Sequence, residues 1–184
     1  DAQESRGLGD VYKRQRLSRL LRDISVLTRM DEAANMIDME RVDISVLVGN
    51  IINEVALELE EKHITIVDSL KKGIQIKGNY SLLYSIFRNL MDNAIRASEE
   101  CEEEHTIYFT MRLIDGTLSL DIQNTYQGPV TIVDNELRTT KREDGRHGYG
   151  IKNVQHVVAN YGGTFRLSLE RRLFGIHITI PRKI

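Results

Sequence analysis

The sequence has little cysteine, with Cys101 standing alone among 184 residues. A single thiol excludes an intramolecular disulfide framework and any zinc site built on several cysteines. Proline is scarce at two residues, and glycine is ordinary at 13, which excludes collagen and Pro-rich disorder. No uninterrupted apolar run approaches the ~20 residues that a membrane-spanning helix needs. An excess of charge of one sign is also missing, since 25 basic residues face 27 acidic ones for a net charge of −2. That balance argues against a nucleic-acid binder and against a polybasic membrane clamp. What is present is a globular mixture, 41% hydrophobic and 28% charged, sufficient for a sizeable core.

Residues 1–15 are set apart from the fold. Ser5, Arg6, Gly7, Leu8 and Gly9, followed by the string Asp10-Val11-Tyr12-Lys13-Arg14-Gln15, resemble a translated transposase adapter of a sequencing library. Such segments are left out of fold reasoning. Leaving them out removes Arg6, Lys13 and Arg14 together with Asp1, Glu4 and Asp10, so the net charge does not change. The expectation is a truncated fragment whose own sequence starts near Arg16, in mid-helix.

In residues 16–30, Leu17, Leu20, Leu21, Ile24 and Leu27 recur at i, i+3, i+4, i+7 spacing, one stripe of an amphipathic helix. Residues 31–41 break this pattern and read as a connector. Asp43 is an N-cap candidate for a second helix with Val46, Val48, Ile51, Ile52, Val55, Ala56 and Leu59 apolar. The β-branched runs 64–67 and 74–76, separated by Lys71-Lys72-Gly73, predict two strands joined by a turn. Asn79 caps a third helix from Tyr80 to about Glu100, with Leu82, Leu83, Ile86, Leu90, Met91, Ala94 and Ile95 apolar. The acidic run that closes it reads as a solvated loop. Residues 106–114 and 117–124 alternate around Asp115-Gly116, a strong hairpin signal. Residues 127–148 are polar with no clear period, and so long a loop reads as a functional lid. A fourth helix follows from Tyr149, with Ile151, Val154, Val157 and Val158 inward and Gly162-Gly163 at its end. Phe165, Leu167 and Leu169, then Ile176, Ile178 and Ile180, mark two last strands. Apolar faces on both element types predict an α+β fold, a two-layer α/β sandwich with one mixed sheet backed by helices.

Three constellations carry chemistry. Asn89 and Asn93 lie four residues apart in the third helix and share a face, with Arg96 one turn beyond. Asparagine is a poor helix former without apolar value, so two on one face suggest hydrogen bonding or metal ligation. Asn124 continues the strand face of Leu118, Leu120 and Ile122 to the strand end, where a polar group can meet a ligand on the core side. Gly148-Tyr149-Gly150 opens the fourth helix after a basic stretch with Lys141, Arg142 and Arg146. Bare backbone and the free N–H groups of a helix start favour an anion.

In this order, the Asn-Leu-Met-Asp-Asn-Ala-Ile string, the strand-end Asn124 with Gly128, the lid and the Gly-x-Gly helix resemble the ATP-binding domain of sensor histidine kinases. That domain belongs to the Bergerat-fold, or GHKL, superfamily. The resemblance covers residues 43–184, while residues 16–42 resemble the second helix of the kinase dimerisation hairpin and a connector. It implies an ATP and Mg²⁺ site in which Asn93 is the metal ligand, Asn89 its partner and Arg96 the residue reaching the phosphates. Asn89 and Arg96 are then the catalytic candidates. Asn124 and Gly128 would meet the adenine, Lys141 would sit in the lid, and Gly148, Tyr149 and Gly150 would cradle the phosphates. It also implies a phosphoacceptor histidine helix, a response regulator, a homodimeric full-length protein and a cytoplasmic catalytic portion of a chain anchored in the membrane. Most of the family has Asp where this chain has Asn124, although a branch resembling quorum-sensing kinases has Asn. None of His63, His105, His147, His156 and His177 has the acceptor's surroundings, so the fragment is expected not to phosphorylate itself. A GHKL ATPase would carry a general-base Glu at Asn89, and a degenerate nucleotide-binding module is the non-enzymatic alternative.

Overall fold

The first described element is a strand that begins in the stretch read as a connector. In the computed structural model, which describes residues 38–102, 104–139 and 149–182, β1 (Glu40–Asp43) leads directly into α1 (Ile44–Glu61). Asp43 caps that helix, its Oδ1 accepting from Val46 N–H at 3.1 Å. The buried stripe of α1 is Ile44, Leu47, Val48, Ile51, Val55 and Leu59. Val46 and Ala56, apolar residues of the same helix, face solvent. The helix is apolar enough all round to offer several stripes, and packing selects among them. The helix expected at 16–30 lies outside the described residues.

β2 (Thr65–Leu70) and β3 (Gln75–Gly78) form at the two β-branched runs, but they do not pair with each other. β3 pairs antiparallel with β1, while β2 joins the main sheet. The two strands joined by a turn are thus present, and Lys71-Lys72-Gly73 carries the chain from one sheet to another. Asn79 caps α2 (Tyr80–Glu99), accepting at Oδ1 from Leu82 N–H at 3.0 Å. β4 (Thr106–Ile114) and β5 (Thr117–Thr125) make the expected hairpin, with Asp115 and Gly116 at φ 47° and 73°. These positive values match the right-handed twist of the strands.

The region with no clear period holds a second hairpin, β6 (Val130–Val133) and β7 (Glu136–Thr139). Asp134 and Asn135 turn it at φ 52° and 60°. α3 (Tyr149–Asn160) follows, and beyond it Gly162 has a φ of 71°, the left-handed conformation that commonly stops a helix. β8 (Thr164–Glu170) and β9 (Leu173–Pro181) complete the chain of elements.

The main sheet runs β2-β4-β5-β9-β8, with β2 parallel to β4 and every other neighbour antiparallel. One face carries Ile107, Phe109, Met111, Leu118, Leu120, Ile122, Ile176, Ile178 and Ile180, all buried beneath the helices. Each such side chain contributes about 1.5–3 kcal/mol by leaving water. The other face is polar, and there His177 Nδ1 lies 2.6 Å from Asp121 Oδ1 on the adjacent strand. α2 packs on both α3 and β5, so its Asn-bearing turns lie where the helix layer meets the centre of the sheet. Among the described residues, no helix is long and apolar enough to cross a membrane.

Candidate functional site

The middle of α2 provides the first half of the site. Leu90, Met91, Ala94 and Ile95 are buried, which fixes the rotation of the helix. Asn89, Asn93 and Arg96 are consequently held half-buried beside that apolar stripe. Arg96 Nη2 donates to Asn93 Oδ1. The carboxamide oxygen of Asn93 is thus turned toward a cation.

The second half comes from the start of α3. A Cβ built on Gly150 would stand 3.5 Å from Asn93 Nδ2. A side chain at Gly150 would thus meet Asn93, and the glycine leaves that space open. Val154, Val157 and Val158 hold α3 in place, and the buried Asn153 sits between them and the helix start. The first N–H groups of α3 and the Arg96 guanidinium make this region electropositive. Three sequence-predicted residues, Asn93, Arg96 and Gly150, are brought together in this way, and Asn89 accompanies them one turn away.

Asn124 lies in the core at the end of β5, opposite Ile107 on β4 and Phe174 on β9, with 4% of its surface exposed. A buried carboxamide must be hydrogen-bonded. Its Nδ2 donates to Thr125 O at 2.8 Å, which fixes the amide orientation and leaves Oδ1 as an acceptor. Gly128 follows beyond β5 at φ 103°, a conformation that L side chains rarely adopt. It lines an open cleft of about 430 Å³ together with Thr125, Tyr126, Cys101 and Arg171. Lys141 and Gly148 lie outside the described residues, and Tyr149 is described here only as the first residue of α3.

Two residues of structural consequence were not marked by sequence. Asn135 bridges to β8, and its signal was the Asp134-Asn135 pair, two residue types that favour turns. Tyr161 accepts from Asn79 N–H at 2.9 Å, so the end of α3 is tied to the cap of α2. No local pattern announces that contact.

Comparison with known proteins bears on the family and the fold. Residues 79–181 match the GHKL domain family. The sensor-like histidine kinase SenX3 of Mycolicibacterium smegmatis is 24% identical over 167 residues, which is 85% of this chain and 42% of that protein. The sensor protein kinase WalK of Staphylococcus aureus is 26% identical over 183 residues, covering 92% of this chain and 43% of that protein. The chain thus spans less than half the length of these relatives. Among solved structures, the Acinetobacter baumannii histidine kinase AdeS superposes with a TM-score of 0.71 at 16% identity, over 95% of this chain and 82% of that one. The catalytic domain of histidine kinase ThkA superposes with a TM-score of 0.65 at 14% identity, over 79% and 97% of the two chains.

Proposed function

This chain belongs to the GHKL domain family, and from that premise we propose that it is the ATP-binding catalytic part of a sensor histidine kinase. Residues 43–184 are the nucleotide-binding domain in this proposal, and residues 16–42 belong to a dimerisation helix and its connector. The observation that carries it is the space that Gly150 leaves open beside Asn93, with Arg96 on the Asn93 oxygen.

The residues present suit Mg²⁺ and a polyphosphate. Mg²⁺ takes hard oxygen ligands and needs only one or two from the protein. The Asn93 carboxamide oxygen has two lone pairs and accepts from Arg96 through one, which leaves the other for a metal ion. When bound, Mg–ATP supplies the phosphoryl group that is transferred. Asn93 would hold the metal through its carboxamide oxygen. Arg96 would turn its guanidinium to the phosphates, and the N–H groups of the first turn of α3 would donate to them. Asn124 would accept at Oδ1 from the amino group of the base, and Gly128 would keep the neighbouring backbone free of a side chain. Asn89 would orient Asn93 from the preceding turn. The chemistry is then positioning and charge neutralisation while a neutral histidine imidazole on a separate acceptor helix attacks. Asn89 is an amide and has no basic site to activate water, which disfavours hydrolysis as the main activity. The partners are the acceptor helix in a homodimeric parent protein and a response regulator.

Titration with a non-hydrolysable ATP analogue tests this assignment. The expected result is Mg²⁺-dependent binding, with Asn93→Ala losing the Mg²⁺ dependence. Gly150→Ala should fold normally, since the added methyl makes only ordinary contact, yet weaken binding by covering Asn93. Binding that ignores Mg²⁺ in the native chain, or survives both substitutions unchanged, overturns the proposal.

A further inference from the structure

The edge strand β8 is met at one point by a side chain that behaves as a piece of strand. Asn135 Nδ2 donates to Phe165 O at 2.9 Å, and Leu167 N–H donates to Asn135 Oδ1 at 2.7 Å. One carboxamide thereby makes both bonds that a neighbouring strand would make to this stretch of edge. The main chain of the same residue is also engaged, since Gln155 Nε2 donates to Asn135 O at 3.4 Å. Gln155 lies on α3, in the turn after Gly150. Asn135 thus touches three elements: the β6–β7 turn it belongs to, the β8 edge and α3.

The backbone conformation suits this role. Asn135 has φ 60°, a region that asparagine tolerates better than most residues. It is also half-buried, so the paired amide is partly shielded from water. The hairpin it fixes lies between Gly128 and Gly150 in the chain, the two backbone points proposed to border the nucleotide.

We propose that Asn135 is a positioning residue, a latch that sets the β6–β7 hairpin on the β8 edge and thereby orients the first turn of α3 against Asn93. This builds on the proposed nucleotide site. Asn135 touches no reacting group itself and acts through Gln155 and the hairpin.

Asn135→Gly removes the latch while keeping the turn, because glycine adopts this φ without strain. Asp134→Gly changes the same turn and spares the latch, and serves as the control. In the nucleotide-free protein, Asn135→Gly should speed hydrogen exchange at the Leu167 amide and shift the Asn93 side-chain amide resonances. It should also weaken the ATP analogue roughly five- to tenfold, as the competent arrangement becomes less populated. Asp134→Gly should do none of these. Unchanged Leu167 exchange in Asn135→Gly overturns the latch. Faster exchange with the Asn93 resonances unmoved overturns the positioning role. Both readings are taken without nucleotide, so a native chain that fails to bind the analogue would refute the proposed function while these measurements still decide the latch.

Discussion

At the residue scale, Tyr161 shows how one polar atom can hold two helices to each other. Its ring lies over Gly78, where a Cβ would stand 2.6 Å from Leu83 Cδ1 and 3.0 Å from the Tyr161 hydroxyl. Gly78 is bare because the ring and Leu83 occupy that space. The hydroxyl accepts from Asn79 N–H, the main chain of the residue that caps α2. Burial raises the Tyr161 pKa above its usual 10.0, against the lowering effect of the Asn79 hydrogen bond. Tyr161→Phe strands that N–H, and we expect a loss of about 1–3 kcal/mol in urea unfolding. The pH dependence has a definite sign. A folded pKa above the unfolded one leaves stability intact below pH 10 and erodes it as pH rises through the folded value. Tyr161→Phe should therefore lose part of the native chain's alkaline decline. An identical decline in both proteins would show that Tyr161 does not contribute to it.

At the element scale, α3 and β9 meet through a glycine. A Cβ on Gly163 would fall 2.1 Å from Thr179 O and 2.9 Å from Val158 Cγ1. The first of these is backbone and cannot rotate away. Gly163→Ala should cost on the order of 3–5 kcal/mol, read as a large drop in melting temperature, whereas Gly49→Ala on the open side of α1 should be neutral or stabilising. The same scale explains what the amino-acid sequence disclosed. α2 was legible from end to end because the helical period, the Asn79 cap and the Asn-bearing face coincide. The β4–β5 hairpin was legible because Asp115-Gly116 is a local turn signal. The partners of β2 and β3 were not, since a turn between them says nothing about which sheet each joins. β1 and the β6–β7 hairpin have four-residue strands, too short for alternation to stand out. Within the site, Asn89, Asn93 and Asn124 could be named from their spacing and strand face. The nearness of Gly150 to Asn93 depends on how α3 packs on α2, which no local pattern encodes.

At the scale of the whole molecule, the sheet order carries information about time. Two of its pairings are closed by short turns, β4 with β5 and β8 with β9. The other two connect distant stretches: Thr125 pairs with Leu173, and Thr65 runs parallel to Thr106. Closing a long loop costs entropy before its contacts repay it, so hairpins form early and distant pairings set the rate. The β5–β9 seam must unite the two hairpins, and it is central and apolar. β2 sits at the edge and is held on one side. Folding should thus cross its barrier when Ile122 meets Ile176, with β2 arriving afterwards. Ile176→Val should slow refolding in stopped-flow experiments. Ile66→Ala should hasten unfolding and leave the refolding rate nearly unchanged. If Ile66→Ala slows refolding instead, the parallel strand is part of the nucleus. In the expected order, the one parallel strand is the last to be added and the first to leave.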